Sequence, residues 1–168
     1  MTTLDTAILR RRMRWWERLM EPIAASRPGG WLYIHVFCHI DPLLLRMSGG
    51  RISVSLGWPI LLLTHTGARS GVARRTALLY ASDGERIVLV ASKAGATRNP
   101  AWYHNLTANP RCTVLAHGRS GEYAARVVEG TERARLWALA NDLYAGYTAY
   151  QGRTDRRIPV LALEPVRD

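Results

Sequence analysis

Cysteine and long apolar runs are scarce in this 168-residue chain, and each scarcity excludes a class of protein. The two cysteines, Cys38 and Cys112, lack the spacing of a zinc site and are too few for a disulfide framework, which suits a reducing compartment. No apolar run reaches the ~20 residues that a membrane-spanning helix needs. Residues 1–25 lack the continuous apolar core of a signal peptide. We therefore expect a cytoplasmic protein, at most peripheral on the inner face of the cell membrane.

Familiar catalytic motifs are also missing. The sequence has no Gly-x-Ser-x-Gly nucleophile elbow and no His-Glu-x-x-His helix. Its 13 acidic residues are too scattered to indicate a glycosidase pair, and His104 has no matching metal ligands nearby. The sequence therefore predicts no metal site, and we expect His104 either to face solvent or to have its hydrogen bonds satisfied within the fold.

What the chain has in excess is arginine. Its 23 basic and 13 acidic residues give a net charge of +10, and Lys93 is the only lysine. This charge predicts an anionic partner, which could be a nucleic acid, a lipid surface or a polyanionic small molecule. Residues 64–119 carry eight basic and two acidic residues, whereas residues 120–168 carry seven of each. The middle of the chain is therefore the expected anion-binding region.

Residues 1–50 are predicted to form an N-terminal helical extension, and residues 51–168 the main domain. The extension begins with an amphipathic helix that carries four arginines roughly opposite its apolar face. This pattern is typical of a helix that packs on its own domain, or of one that lies in an anionic membrane surface. The apolar residues recur at steps of four and three: Leu9, Met13, Trp16, Met20 and Ile23.

The main domain is predicted to be mainly β. Short runs rich in β-branched and other apolar residues are separated by turn signals, and Asp83-Gly84 between two such runs indicates a hairpin. Two helices are expected, over residues 99–108 and 131–150. Strands at this density favour a closed or nearly closed antiparallel barrel over alternating βαβ units. The expected strands cover residues 52–56, 60–66, 74–81, 86–91, 111–116, 123–128 and 158–163.

Four segments could carry the chemistry, and each also has a purely structural interpretation. Residues 67–75 combine two glycines with three arginines, which suits either an anion or a charged hairpin turn. Residues 91–96 place Ser92 and Lys93 among small residues, as in a flat-ligand site or a surface loop. On the short helix, Asn105 is either a buried amide or a ligand donor. Tyrosines at every third position, Tyr144, Tyr147 and Tyr150, suit either a pocket wall or core packing.

Together these segments resemble the deazaflavin (coenzyme F420)-dependent nitroreductase and quinone reductase family of actinobacteria. The resemblance runs from about residue 60 to residue 165 and rests on five blocks in order. These blocks cover residues 63–71, 74–78, 91–96, 99–110 and 157–161, and include Thr-Gly-Ala-Arg-Ser-Gly, Ala-Ser-Lys-Ala-Gly and Asn-Pro-Ala-Trp-Tyr-His-Asn-Leu. Ala68, Ala94 and His104 depart from the family pattern, which more often has a basic residue, a glycine and an apolar residue there.

The resemblance implies a split β-barrel like that of FMN-binding oxidoreductases, with flanking helices and F420 in a basic groove. It implies an enzyme that transfers a hydride from the reduced deazaflavin to a quinone, conjugated enone or activated nitro compound. The acceptor would lie beneath the three tyrosines. Ser92, Tyr144, Tyr147 and Tyr150 would polarise its oxygen and deliver a proton. Cofactor-binding residues implied by the resemblance are Arg69, Ser70, Gly71, Arg74, Arg75, Thr76, Ala77, Leu78, Ala91, Ser92, Lys93, Ala101, Trp102 and Asn105.

Two alternatives stay open at the level of sequence. One is a split-barrel enzyme that uses FMN, although several arginines would be unnecessary for a single phosphate. The other is a non-enzymatic protein that binds a membrane surface through the arginine-rich helix. A nucleic-acid partner is not favoured, because the predicted strands carry few of the exposed aromatic residues that stack on bases.

Overall fold

A computed structural model describes residues 38–51 and 58–167. The expected amphipathic helix and the strand expected over residues 52–56 lie outside the described residues. Within these residues, four α-helices and a one-turn 3₁₀ helix, Lys93–Gly95, accompany the sheet: α1 (Cys38–Met47), α2 (Ala101–Ala108), α3 (Gly130–Leu143) and α4 (Gly146–Gln151). The strands are β1 (Ile60–Thr66), β2 (Ala73–Leu79), β3 (Ala81–Asp83), β4 (Arg86–Val90), β5 (Arg111–Ala116), β6 (Arg119–Val128) and β7 (Val160–Pro165).

All seven strands pair antiparallel in one sheet, in the order β2-β1-β5-β6-β7-β4-β3. The two edge strands, β2 and β3, are separated in sequence by Tyr80 alone. Because consecutive Cα atoms are only ~3.8 Å apart, the sheet must curve until its two edges meet. This curvature confirms the predicted antiparallel barrel architecture, with helices packed around it.

Alternation along the strands divides the sheet into an inner and an outer face. The inner face of β1 carries Leu61 and Leu63, which are fully buried in the main core cluster. Its outer face carries Ile60 and Leu62, which pack with Leu45 of α1. Helix α1 therefore covers part of the outside of the barrel.

The predicted hairpin at Asp83-Gly84 is confirmed, but the single helix predicted over residues 131–150 is wrong. Gly84 takes the positive φ of +65° that the β3–β4 turn requires. The helix ends at Leu143 and resumes at Gly146, because Tyr144 adopts extended backbone angles. Its ring lies against Gly146, where an added Cβ would be 2.2 Å from Tyr144 Cζ. A packed aromatic ring thus divides the helix.

Candidate functional site

Residues 67–72 form the turn between β1 and β2 and are called the basic turn. Both glycines donate their amides within the turn, from Gly67 to the Val72 carbonyl and from Gly71 to the Gly67 carbonyl, each at 2.9 Å. These two amides are therefore not available to an anion. Arg69 and Ser70 are exposed, so the basic turn presents side chains to a ligand.

Helix α2 is tied to the basic turn through Asn105. The buried Asn105 accepts a hydrogen bond from the Ala68 amide (2.9 Å), and its Nδ2 lies 3.1 Å from His65 Nδ1. The other ring nitrogen, His65 Nε2, lies 3.1 Å from Thr76 Oγ1. Burial, and secondarily the positive charge of Arg74, lower the pKa of His65. Of the two roles open to Asn105, the described contacts support that of a buried amide.

Residues 92–96 form a second turn, called the Lys93 turn, which has unusual backbone geometry. Lys93 and Ala94 both have positive φ, +46° and +52°, although neither is glycine. Each residue in this region costs roughly 1–2 kcal/mol, and such strain is often found at ligand sites. With Ser92 in the right-handed region, the backbone has the form that gathers consecutive N–H groups into an anion-binding concavity. Within the described residues, the Lys93 and Ala94 amides have no acceptor.

The side chains around the Lys93 turn suit a flat anionic molecule. Lys93 is exposed, and the hydroxyl of the nearly buried Ser92 has no hydrogen-bond partner in the described part of the chain. Ala91 and Trp102 pack in the main core cluster, with Leu78 partly buried against it. Lys93 and the available amides are therefore flanked in the chain by small residues, among them Ala91 and Gly95.

The three predicted tyrosines form one cluster, called the tyrosine cluster, beside the Lys93 turn. Their ring centroids lie 5.2–6.4 Å apart, and the hydroxyls of Tyr144 and Tyr150 are 2.8 Å apart. Ala94 packs against this cluster. Burial raises the pKa of Tyr150, partly offset by its hydrogen bond with Tyr144 and by the nearby Arg153. The Tyr150 phenol is therefore protonated near neutral pH.

Strand β2 divides the residues that the resemblance assigns to it. Arg74, Thr76 and Leu78 lie on the inner face, with Thr76 beside His65 and Leu78 against the core. Arg75 and Ala77 lie on the outer face, where Ala77 packs with Leu45 of α1 and is 1% exposed. The structure does not bring Arg75 together with Arg74. Ala101 is the first residue of α2 and is exposed. It has no described polar contact with either turn.

Carboxylates neutralise cations on the far side of the barrel and not at the two turns. Asp83 pairs with Arg86 and Arg135, while Glu132 pairs with Arg86 and Arg126. Within residues 38–51 and 58–167, no ion pair engages the cations of the two turns or of β2: Arg69, Arg74, Arg75 and Lys93. Cations without an ion-pair partner among the described residues are thus present where the resemblance places an anionic cofactor.

Other classes of site are absent from the described residues. No group of three or more His, Cys, Asp or Glu side chains there could hold a metal ion. None of the helices that the structure describes has the length and apolar character to cross a membrane. Burial raises the pKa of the Cys112 thiol to about 12, so this cysteine is not a ready nucleophile.

Comparison with known proteins places these features in a family. Residues 41–165 match the family of F420H(2)-dependent quinone reductases. An F420H(2)-dependent quinone reductase of Mycobacterium tuberculosis is 40% identical over 141 residues, which cover 79% of this chain and 95% of that protein. The chain belongs to this family.

Two solved structures support both the fold and the family. An F420-H2 dependent reductase is 41% identical with a TM-score of 0.60, covering 63% of this chain and 94% of that one. A domain-swapped dimer is 36% identical with a TM-score of 0.62, covering 82% of this chain and 99% of that one. The predicted split barrel and deazaflavin-dependent reductase are thereby confirmed, whereas the FMN-dependent and non-enzymatic alternatives receive no support.

Arg156 is a site residue of this F420H(2)-dependent quinone reductase family member that no motif in the sequence predicted. Its guanidinium donates to the carbonyls of Ala91 (3.1 Å), Ser92 (2.8 Å) and Ala96 (2.8 Å), and to Asn99 Oδ1 (2.6 Å). Arg156 therefore holds the backbone at both ends of the Lys93 turn, and its positive charge lies within hydrogen-bond distance of that backbone. The one available signal was its position immediately before the family block at residues 157–161.

Proposed function

We propose that this protein binds reduced F420 across the basic turn and the Lys93 turn and transfers its hydride to a quinone. Conjugated enones and activated nitro compounds are proposed as further acceptors. The observation that carries the proposal is the Lys93 turn: among the described residues its ammonium has no ion pair and two of its amides have no acceptor, and its neighbours in the chain include the small residues Ala91 and Gly95. A flat molecule with an anionic tail matches this surface, because the tail can pair with the ammonium and the amides while the ring lies against the small residues.

The residues of the two turns would hold the cofactor by charge. Arg69, Arg74 and Lys93 have no carboxylate partner in the described part of the chain, so they can pair with phosphate and glutamate groups. Ser92 would donate or accept a hydrogen bond at the ring. When bound, reduced F420 supplies a hydride from C5 of its deazaflavin, and the protein orients the acceptor within roughly 3–3.5 Å of that carbon.

The tyrosine cluster would orient the acceptor and provide the proton that its reduction requires. Tyr147 packs between Tyr144 (5.2 Å) and Trp137 (6.3 Å), which limits the motion of its ring. The paired hydroxyls of Tyr144 and Tyr150 form a short hydrogen-bonded unit at the same place. A positioned phenol of this kind typically contributes about 10²–10⁴-fold to a rate.

Replacing Tyr147 by Phe tests this role, because the change retains the ring and removes only the hydroxyl. We expect kcat with a soluble quinone to fall by at least about tenfold, while the melting temperature and F420 affinity stay near wild type. Oxidation of F420H₂ is followed by absorbance with quinone, enone and nitro acceptors. Wild-type rates with all three would assign Tyr147 to packing alone.

We also propose that the protein associates with the inner face of the cell membrane through the arginine-rich helix that the sequence predicts near its N-terminus. The support is the sequence pattern: an apolar stripe opposite Arg10, Arg14 and Arg18. A lipophilic quinone would make this location useful.

Liposome sedimentation tests the membrane proposal on the full chain. Replacing Arg10, Arg14 and Arg18 together by Gln should abolish binding to vesicles that contain anionic lipid, since each cation near such a surface contributes about 1 kcal/mol. Removing an exposed cation of the main domain, as in Arg157→Gln, serves as the charge control. Failure of the wild-type chain to bind, or unchanged binding by the triple variant, would contradict the proposal.

A further inference from the structure

The hydrogen bonds around His65 fix which of its ring nitrogens carries the proton. The Ala68 amide is a donor, so the atom of Asn105 that faces it is the amide oxygen, and Nδ2 faces His65. Because Nδ2 is only a donor, Nδ1 of His65 must be the acceptor. The proton of the neutral imidazole therefore lies on Nε2, which donates to Thr76 Oγ1.

This polarity extends to Thr76. Its hydroxyl oxygen accepts from His65, which leaves its own hydrogen available for another acceptor. Among the described residues, none accepts that hydrogen. Thr76 shares the inner face of β2 with Arg74, the cation that also lies beside the basic turn. The Thr76 hydroxyl can therefore donate its hydrogen to an acceptor bound on the face of β2 that also carries Arg74.

We propose that neutral His65 is a positioning residue for the cofactor: it holds the basic turn through Asn105 and makes Thr76 a hydrogen-bond donor to the cofactor's anionic part. This inference rests on the proposed function, because it takes F420 as the occupant of this surface. His65 does not itself need to touch the cofactor. It acts through two residues, one on α2 and one on β2.

Protonation of His65 would disrupt this arrangement. An imidazolium has a proton on Nδ1, which would oppose the Nδ2 hydrogens of Asn105. If the Asn105 side chain turned to offer its oxygen to His65, the Ala68 amide would lose its acceptor. The titratable and charged groups around His65 are Arg74 on β2, Arg111 and Cys112 on β5, and Glu122 and Tyr123 on β6, while α2 contributes the uncharged Asn105. Glu122 is paired with Thr113, on the opposite face of the sheet from His65, Cys112 and Tyr123, so its carboxylate does not face the ring.

The expected pH dependence follows from the direction of the pKa shift. Burial and Arg74 lower the pKa of His65 from its usual 6.5, so the ring is neutral at pH 7 and gains its proton only on further acidification. The proposal predicts that cofactor affinity falls over that acidic range. A histidine that acted simply as a cation would do the opposite, because the imidazolium would attract the anionic cofactor.

The first test uses the protein without cofactor. Nitrogen NMR of labelled histidine should show His65 as the Nε2–H tautomer at pH 7. The Ala68 amide should be protected from hydrogen exchange at pH 7, and its protection factor should fall on acidification more than that of the Gly67 amide. An Nδ1–H tautomer would overturn the inference, whatever the protein binds.

The second test measures F420 affinity at neutral and acidic pH for wild type, His65→Gln and His65→Leu. Glutamine retains one donor and one acceptor but does not titrate. His65→Gln should therefore bind F420 about as tightly as wild type at neutral pH, and it should lack the loss of affinity at acidic pH that protonation of His65 causes. Wild type should weaken by about fivefold more than His65→Gln, the equivalent of one hydrogen bond. His65→Leu should bind weakly at both pH values.

The outcomes separate the inference from the function on which it rests. Absence of F420 binding by wild type at neutral pH would contradict the proposed function, while the tautomer measurement would still judge the hydrogen-bond polarity. Tight binding with the same pH profile in wild type and His65→Gln would overturn the role of His65 alone. Stronger binding by wild type at acidic pH would overturn it as well.

Discussion

At the scale of single residues, some side chains of the site are predictable from the local sequence and others are not. Lys93 and Ser92 stood out because they are local features: the only lysine, and a serine at the end of a predicted strand. Arg156 reaches Ala91 and Ser92 from 65 and 64 positions away in the chain. Contacts between residues so far apart in the chain leave no local sequence pattern, and they are visible only in the folded structure.

Replacing Arg156 by Gln should destabilise the protein and weaken F420 binding together. The guanidinium makes four hydrogen bonds, and losing bonds of this charged type typically costs about 1.5–3 kcal/mol. Arg156→Lys should recover only part of the loss, because one ammonium cannot reproduce the planar fork. Chemical denaturation and cofactor titration measure the two effects.

The neighbouring Arg157 provides the matched control for this prediction. It is exposed and makes no ion pair within the described residues, so Arg157→Gln removes the same charge from the adjacent position. Its stability should stay within about 0.5 kcal/mol of wild type. Equal losses in the two variants would mean that charge, and not the hydrogen bonds to the Lys93 turn, is what Arg156 contributes.

At the scale of elements, local signals predicted the hairpin and the bounds of several strands, but they missed two divisions: that of the strand predicted over residues 74–81 into β2 and β3, and that of the helix predicted over residues 131–150 into α3 and α4. The Asp83-Gly84 hairpin and the bounds of β1 and β5 were predictable, because turn chemistry and β-branched runs are written in consecutive residues. The division between α3 and α4 was not predictable, because it comes from the packing of the Tyr144 ring against Gly146. An apolar stripe over residues 136–150 looks the same whether the helix is continuous or divided.

Gly146→Ala should destabilise the fold, and Gly152→Ala should not. A Cβ at position 146 would lie 2.2 Å from Tyr144 Cζ, whereas at position 152 the nearest atom is 3.6 Å away and φ is −69°. Overpacking of this kind costs about 1–3 kcal/mol. Thermal unfolding of the two variants checks the prediction. Equal stabilities would show that Tyr144 can move aside without cost.

At the scale of the whole molecule, only some of the arginines have carboxylate partners among the described residues. Acidic residues pair with arginines along β3, β4, β6 and α3, while the two turns retain cations without carboxylate partners among the described residues. Sequence composition predicted the basic middle segment but not which arginines would be neutralised, because the pairs join distant parts of the chain. The division at residue 50 stays a prediction, with α1 packed directly on β1 and β2.

The most direct test of the account is equilibrium binding of oxidised F420 to wild type, Arg74→Ala and Arg75→Ala, with FMN as the competing cofactor. The two arginines are adjacent in sequence but lie on opposite faces of β2. We predict that F420 binds more tightly than FMN, that longer glutamate tails increase affinity, and that salt reduces it. Arg74→Ala should weaken binding about tenfold or more, and Arg75→Ala much less. Equal affinity for FMN, or equal losses in the two variants, would contradict the account.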